Sequence, residues 1–220
     1  SLYIMENLLF IHIPKTGGTY INQVIFNRKN LVANHKCISN MGQTENKIIF
    51  ATIRNPVSFY NSTYNFYKYP NHPLRSKVKN IVNNYTDINT FVKELLTNKE
   101  AFANGYDKNA KYFKHYIISS PNEYGLLTNY FLFIFHYKDY HTPGDVDGFF
   151  EHIKNKVHFL KQENLKQDTL DFCNKFNIPY DKSKLDTYVN KNDQKQSVNK
   201  EIEALIKEKD YLIYKHFYQH

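Results

Sequence analysis

The chain has 220 residues, a length that suits one domain or one domain with a small elaboration. Its formal net charge of +8 and isoelectric point near 9.2 favour an anionic partner, such as a nucleotide, an acidic glycan, nucleic acid or a membrane surface. No apolar run approaches the ~20 residues of a membrane span, and the two cysteines, Cys37 and Cys173, lack metal-site spacing and favour free buried thiols over a disulfide.

The first predicted strand covers residues 8–13, LLFIHI, and is apolar except for His12. This length and composition are typical of a strand buried on both faces, and we interpret His12 as a core histidine. Lys15 follows the strand with a positive charge, and Gly17 and Gly18 allow a tight turn in which successive N–H groups point inward. The segment therefore has the composition of a phosphate-binding loop.

A helix is predicted directly after this loop, over residues 19–26. Its apolar residues have helical rather than alternating spacing, and they are Tyr20, Ile21, Val24 and Ile25. The spacing places the loop at a helix N-terminus, where an anion is favoured. A nucleoside-triphosphate P-loop has its lysine after the glycines, whereas here the lysine precedes them. For this loop taken alone, an ordinary strand-to-helix turn is the alternative.

A second strand and helix are predicted in residues 48–67, IIFATIRNPVSFYNSTYNFY. Arg54 lies at the carboxyl end of the strand, and Pro56 is placed as the first residue of the helix. Arg54 follows Lys15 by 39 residues and precedes Ser62 by eight. The guanidinium of arginine is a planar fork that binds phosphate oxygens in pairs. The segment therefore predicts a second phosphate contact.

The two segments together resemble the sulfotransferases. The PKTGGT loop is similar to the 5′-phosphosulfate loop of carbohydrate sulfotransferases, H-I-P-K-T-[AG]-G-T, and RNPV with the later serine is similar to their 3′-phosphate element. The resemblance implies 3′-phosphoadenosine 5′-phosphosulfate (PAPS) as cofactor and adenosine 3′,5′-bisphosphate as product. The implied cofactor-binding residues are Pro14, Lys15, Thr16, Gly17, Gly18, Thr19, Tyr20, Arg54 and Ser62.

The same resemblance implies roles for individual residues. Lys15 is expected to neutralise the charge that develops on the leaving group, and His35 to take the acceptor proton, with a bystander role as the alternative for His35. Lys191 and Lys195 lie in a polar stretch that folds over the nucleotide in the family, so both are candidate contacts. Tyr20 stands where many relatives have Ser or Thr, which implies that one hydroxyl contact to the phosphate is either missing or replaced by backbone N–H groups. No metal is expected.

Further elements are predicted along the chain. Thr86 is predicted to N-cap a helix over residues 87–97, whose apolar residues share one face. The E-N-L-x-x-D segment that contains Asp168 resembles one found late in sulfotransferases, and we interpret its role as structural. The other predicted elements are a buried aromatic segment (126–137), a strand (157–160) and a closing helix (199–217).

Two basic segments have two interpretations each. Residues 69–80, with Arg75, Lys77 and Lys79, are either a solvated loop or the entrance for an acceptor. Residues 99–120 interleave tyrosines and lysines, which indicates either an irregular helix over the sheet or a surface that stacks sugars or bases.

These patterns predict an α/β fold: one domain over residues 1–220, with a central parallel sheet flanked by helices. The resemblance implies that this fold has a P-loop-like sulfotransferase architecture. The predicted function is transfer of the sulfonyl group from PAPS to a hydroxyl acceptor, a carbohydrate such as an anionic glycan. The alternatives are a P-loop-type nucleotide kinase or hydrolase and a non-catalytic polyanion or nucleic-acid binder, with nucleic acid the less favoured partner. Without a signal-peptide pattern, we expect a soluble cytoplasmic protein or the soluble part of a membrane-tethered enzyme.

Overall fold

The structure, a computed structural model, describes residues 7–27, 46–68, 85–98, 123–135, 145–186 and 196–219. Within these ranges the strands are β1 (Leu8–Ile11), β2 (Ile48–Ile53) and β3 (His158–Lys161). The α-helices are α1 (Gly18–Val24), α2 (Pro56–Lys68), α3 (Ile88–Thr97), α4 (Leu126–Ile134), α5 (Val146–Lys156), α6 (Leu165–Phe176), α7 (Lys200–Lys209) and α8 (Tyr211–Ile213). The strands are parallel, so the predicted α/β class with a parallel sheet is confirmed.

β2 is the central strand of the sheet, between β1 and β3. Ile11 on β1 pairs with Ala51, and Ile53 pairs with Lys161 on β3. Because parallel strands all point the same way, the segments that follow them emerge at one edge of the sheet, where ligands bind in open α/β sheets. The predicted strand over residues 8–13 is shorter than expected, since β1 ends at Ile11, although Ile13 is also fully buried.

The described residues belong to two compact units. The first unit is drawn from Ser1–Arg54, Phe133–Tyr137 and Asp145–Lys191 and contains the sheet, α1, α5 and α6. The second unit is drawn from Asn55–Leu132, Lys138–Gly144 and Asn192–His220, and its described elements are all helical. The single domain over residues 1–220 stays a prediction.

The core of the first unit is aromatic. Phe50 in the central strand packs against Phe10 and Phe172, with ring centroids 5.0 and 4.6 Å apart. The buried residues of this core are Leu8, Ile21, Val24, Ile25, Phe50, Leu160, Leu165, Phe172, Cys173 and Ile178. Cys173 is a free buried thiol, as predicted, and burial raises its pKa to about 11. Cys37 lies outside the described residues.

In the second unit, α3 shows the apolar face that the sequence predicts, with Ile88, Phe91, Val92, Leu95 and Leu96 all buried. The predicted cap, however, is wrong by one residue. Asp87, rather than Thr86, caps the helix, because the Asp87 carboxylate accepts the amides of Asn89 and Thr90. The hydrogen bond from the Thr90 amide is the largest cause that lowers the pKa of Asp87.

The predicted closing helix over residues 199–217 is interrupted. Asn199 caps α7 by accepting the amide of Ile202, and α7 ends before Asp210. α8 is a short segment that continues into a π-helical turn, Tyr214–Tyr218. A side chain at the interruption, that of Asp210, is fully buried.

Two further findings apply to the described residues alone. None of the helices in these ranges combines the length and the apolar composition that crossing a membrane requires. In the same part of the chain, no group of three or more His, Cys, Asp and Glu side chains is placed so that it could hold a metal ion.

Candidate functional site

The loop between β1 and α1 contains two residues in the left-handed region of backbone conformation. Lys15 has a φ of 63° and Gly17 has a φ of 103°. A lysine in this region costs about 1–2 kcal/mol because its Cβ crowds the backbone, whereas glycine has no such cost. Strain of this kind persists only where the surrounding structure imposes it, and it is frequent at binding sites. The predicted phosphate loop is thus a tight, strained turn.

Neighbouring side chains leave no room for a side chain at the two glycines. A Cβ on Gly17 would lie 2.6 Å from Leu165 Cδ2, and a Cβ on Gly18 would overlap the imidazole of His12. The His12 ring also stacks on Phe10, with 5.9 Å between the ring centroids. His12 itself is half-buried and follows the last residue of β1, so it is not the core histidine of the strand that the sequence predicted. Its ring holds the start of α1 close to β1.

Thr16 fastens the middle of the loop to the sheet. Its buried hydroxyl donates to the carbonyl of Ile13 at 2.7 Å and lies 2.7 Å from the hydroxyl of Thr52 on β2. Because the Thr16 proton is used by Ile13, Thr52 is the donor between the two hydroxyls. The prediction did not include Thr52. A polar residue in the otherwise apolar strand IIFATI, two positions before Arg54, is the signal that could have identified it.

Arg54 brings the two predicted motifs together. Its Nη1 atom donates to the backbone carbonyl of Lys15 at 3.1 Å, across 39 residues of sequence. The guanidinium is therefore next to the strained turn, where the Arg54 side chain is half-buried. Since arginine is not deprotonated in proteins, it contributes a permanent positive charge at this edge of the sheet.

The start of α1 presents backbone donors. Within the described part of the chain, the amides of Gly18 and Thr19 donate no hydrogen bond to a backbone carbonyl. The next two amides are satisfied, since those of Tyr20 and Ile21 donate to the carbonyl of Gly17 at 3.0 and 3.4 Å. Adjacent amides in a loop that an arginine contacts can hold the oxygens of a phosphate or a sulfate.

The side chain of Tyr20 is used elsewhere. Its hydroxyl donates to the carbonyl of Leu185 at 3.0 Å, which ties the turn after residue 181 to α1. Burial, and then the charge of Asp186, raise the pKa of Tyr20, so the phenol stays protonated. The hydroxyl thus takes no part in the loop.

The segment after β3 packs against the loop at Gly17. Gln162 Cγ lies 3.5 Å from the position that a Cβ on Gly17 would occupy. Asp168 fixes this segment by accepting the amide of Lys161 at 2.7 Å and the side-chain amide of Asn164 at 2.8 Å. Asp168 therefore has the structural role that the sequence predicts. Gln162 was not predicted, and only its place at the end of a third parallel strand could have indicated it.

The other predicted site residues lie in different parts of the chain. Pro14 and Thr19 belong to it and are half-buried, whereas Ser62 lies on α2 in the second unit and is also half-buried. Several predicted residues lie outside the described ranges, namely His35, Arg75, Lys77, Lys79, Lys191 and Lys195.

No protein-family model matches the chain, and comparisons with curated proteins and with solved structures also find no match. The geometry of the loop and the resemblance of the two motifs are therefore the observations from which a function can be inferred.

Proposed function

We propose that the chain is a PAPS-dependent sulfotransferase with a single-domain, P-loop-like architecture. The hydrogen bond from Arg54 to the carbonyl of Lys15 carries the proposal, because it joins at one loop the two motifs that resemble sulfotransferase phosphate elements. The amides of Gly18 and Thr19 support it as donors that bond to no backbone carbonyl of the described residues. These groups fit an anion that carries a phosphate and a sulfate.

The roles of the residues follow from charge and position. PAPS would supply the sulfonyl group, whose bond to the acceptor oxygen forms as its bond to the bridging oxygen breaks. Lys15 would place its ammonium beside that bridging oxygen, on which the electron pair of the broken bond remains. His35 would take the proton of the acceptor hydroxyl. The loop amides would hold the 5′-phosphate during both events.

A separate contact for the 3′-phosphate comes from the sequence pattern. Arg54 and Ser62 are assigned to it, and the fork of a guanidinium can bind two phosphate oxygens at once. Lys191 and Lys195 are proposed as further contacts to the nucleotide. The assignment predicts that a nucleotide with both phosphates binds better than one with a single 5′-phosphate.

Thermal unfolding with nucleotides tests this assignment. Adenosine 3′,5′-bisphosphate should raise Tm more than AMP or ATP does, since a ligand at 100 times its Kd stabilises the folded state by about 2.7 kcal/mol. For a protein of this size that corresponds to a shift of roughly 5–10 °C. Equal shifts with the bisphosphate and AMP would remove the 3′-phosphate contact from the proposal.

Variants of Arg54 sharpen the measurement. Arg54→Ala should abolish the preference for the bisphosphate, and Arg54→Lys should restore only part of it, because lysine keeps the charge and loses the fork. Lys154→Ala is a matched control, since Lys154 is exposed on α5 and its loss changes the net charge equally. That control should keep the full preference.

Transfer of radiolabelled sulfate from PAPS to a panel of hydroxylated acceptors tests the activity itself. Preference for ATP in the binding experiment, with no sulfate transfer, would favour the kinase or hydrolase. Tight, salt-sensitive binding of oligonucleotides without transfer would favour the polyanion binder, because the formal charge is +8.

The net charge also bears on the acceptor. An anionic glycan would be attracted by the +8 chain, so kcat/KM should fall steeply as salt rises, because exposed charges are screened over about 8 Å at physiological ionic strength. A flat salt profile would indicate a neutral hydroxylated acceptor.

A further inference from the structure

Gln162, the first residue after β3, lies against the phosphate loop and belongs to none of the predicted motifs. Its Cγ atom is 3.5 Å from the position that a Cβ on Gly17 would occupy, and the side chain is half-buried. Among the described residues, the side-chain amide of Gln162 makes no hydrogen bond. A polar group whose bonding capacity is unused in this part of the chain therefore ends beside the loop.

The pairing of the strands brings Gln162 next to Arg54. The last residue pair of β2 and β3 is Ile53 with Lys161, and Arg54 and Gln162 directly follow these residues. Because neighbouring strands lie about 5 Å apart, both residues leave the sheet side by side at its carboxyl edge. Arg54 contacts the loop through a backbone carbonyl, and Gln162 contacts it at Gly17. All of these residues belong to the first unit.

Hydrogen bonds hold the turn that carries Gln162. The carboxylate of Asp168 accepts the amide of Lys161 at 2.7 Å and the side-chain amide of Asn164 at 2.8 Å, so the turn is fixed on both sides of Gln162. A side chain at Gly17 would push the turn away from the loop, and its absence lets the stem of Gln162 pack on the loop itself. The side chain is therefore positioned before any ligand arrives, which favours binding.

The chemistry of the carboxamide suits an anion at this place. It has two N–H donors and no charge, so it adds hydrogen bonds to a loop at which Arg54 already supplies a positive charge. Packing on Gly17, by contrast, needs only the stem of the side chain, which methionine supplies equally well. The amide of Gln162 is thus the feature that packing leaves unexplained.

We propose that Gln162 is a specificity-determining residue, whose side-chain amide donates to an oxygen of the 5′-phosphate; this inference rests on the proposed function. The 5′-phosphate is the group that the loop around Gly17 would hold, so Gln162 distinguishes nucleotides that carry a phosphate there from those that do not. Loss of a hydrogen bond to a charged group lowers affinity by about tenfold or more.

Calorimetric titration with three nucleotides tests the proposal. AMP has only the 5′-phosphate, adenosine 3′-phosphate has only the other, and adenosine 3′,5′-bisphosphate has both. Gln162→Met keeps the stem and should raise the Kd of AMP and of the bisphosphate about tenfold. Gln162→Glu keeps the shape, replaces the donors by a negative charge and should raise both by at least a further tenfold or so, because like charges repel. Neither variant should change the Kd of adenosine 3′-phosphate by more than about twofold.

Asn174→Asp is the matched control. Asn174 is exposed on α6, nine residues beyond the start of the helix, and the substitution adds the same charge as Gln162→Glu. Nine residues of helix rise by about 13 Å, which exceeds the distance of about 8 Å over which salt screens exposed charges. The control should therefore leave every Kd within about twofold of wild type.

The outcomes separate the inference from the proposed function. If both variants of Gln162 bind AMP as Asn174→Asp does, Gln162 only packs on Gly17, and the inference is wrong while the proposed function stands. Equal losses for AMP and adenosine 3′-phosphate would overturn the 5′ assignment of Gln162.

Two results for the wild-type protein complete the test. Equal wild-type affinities for AMP and the bisphosphate, with AMP weakened by Gln162→Glu, would support the inference and remove the 3′-phosphate contact. A wild-type protein that binds none of the three nucleotides would overturn both proposals. All titrations are made well below the Tm of each variant, and should Gln162→Glu fail to fold, Gln162→Met decides the question.

Discussion

The loop of the first unit and the Asp210 network of the second unit, in which Asp210 accepts hydrogen bonds from Tyr60 and Thr128, differ in how their polar groups are satisfied. In the loop, the neutral hydroxyls of Thr16 and Thr52 fix the backbone, and the amides of Gly18 and Thr19 donate to no backbone carbonyl among the described residues. In the network, an enclosed carboxylate accepts hydrogen bonds from Tyr60 and from Thr128.

The difference separates a loop that can bind a ligand from a hydrogen-bond network that stabilises the packing of helices. A rigid backbone with unsatisfied donors can accept an anion with little reorganisation, because the donors are already oriented. An enclosed carboxylate that is satisfied by protein donors has little capacity for a ligand, and its bonds resist displacement of the helices that supply them. Substitutions in the loop should therefore affect ligand binding as well as stability, whereas substitutions in the network should mainly affect stability.

The largest effect is expected from removal of the buried acid. Asp210→Ala leaves the hydroxyl of Tyr60 and two donors of Thr128 without their acceptor, so the free energy of unfolding should fall by about 3–5 kcal/mol. Urea unfolding measures the change. Asp171→Ala is the control, because Asp171 is exposed on α6 and its loss should change stability by less than about 0.5 kcal/mol. Equal losses for the two variants would contradict the importance of the network.

The next effect concerns the two glycines of the loop, which are required for different reasons. Gly17→Ala should lower the free energy of unfolding by about 2–4 kcal/mol, because it combines a left-handed φ with a clash against Leu165. In a Leu165→Ala background the same substitution should still cost about 1–2 kcal/mol, since the φ is unchanged.

Gly18→Ala provides the contrast, and the same unfolding measurement checks it. Its cost comes from the His12 ring alone, so in a His12→Ala background the substitution should become neutral or stabilising, as expected for alanine in place of glycine at a helical position. Rescue of Gly17→Ala by Leu165→Ala to the same extent would show that backbone conformation is not the cause at Gly17.

Alkaline pH should lower the free energy of unfolding through two tyrosines of the second unit, Tyr60 and Tyr214. Burial, and then Asp210, raise the pKa of Tyr60 well above its usual value, and burial raises that of Tyr214 to about 12. Tyrosines of the unfolded chain lose their protons near pH 10, whereas these two keep them, so the unfolded state binds fewer protons and stability falls as pH rises. The stabilisation is complete below pH 10 and is lost between pH 10 and the folded pKa, about 12 for Tyr214.

The slope should be at most about 1.4 kcal/mol per pH unit for Tyr60, and smaller for Tyr214, because solvent screens its half-buried hydroxyl. Urea unfolding at several values between pH 9 and about pH 12 measures it. The profile of Tyr214→Phe should be flatter than that of wild type, and identical profiles would exclude Tyr214 as a source of the pH dependence.

The smallest effect is expected where the loop meets the sheet. Thr52→Val removes the donor to the Thr16 hydroxyl and should lower the free energy of unfolding by about 1 kcal/mol, the usual net value of a neutral hydrogen bond. Thr63→Val is a matched control, since the Thr63 hydroxyl donates only within α2, to the carbonyl of Phe59. Both should lose similar stability, but only Thr52→Val should also weaken binding of adenosine 3′,5′-bisphosphate. Unchanged binding in Thr52→Val would mean that the loop binds the nucleotide without the hydrogen bond between Thr16 and Thr52.

Much of the fold could be predicted because it depends on neighbours in sequence. Apolar periodicity indicated the strands and the buried face of α3, and Pro56 begins α2 as its fixed φ predicts. The predictions were wrong where two neighbouring residues could both take the same role, because periodicity does not distinguish between them. Asp87 displaces Thr86 as the cap because a carboxylate there reaches two amides.

Part of the candidate site could also be predicted from the sequence alone. The order of Lys15, Gly17 and Gly18 after a buried strand, with Arg54 at the end of the next, indicated a phosphate loop and a cation, because glycines and strand ends have local signatures. Single residues in long polar stretches, such as Gln162, carry no such signature, since nothing around them in sequence reports what they will contact.

Only the tertiary structure decided how these pieces meet. The hydrogen bonds from Arg54 to Lys15 and from Tyr60 to Asp210 join residues that are 39 and 150 positions apart. No periodicity records such distances, because each depends on how whole strands and helices pack. The same holds for the interruption at Asp210, where the periodicity continues as a helix but the backbone breaks. Neighbouring residues in the sequence thus determine the helices, the strands and the glycine loop. Packing between distant segments determines which of their side chains come into contact.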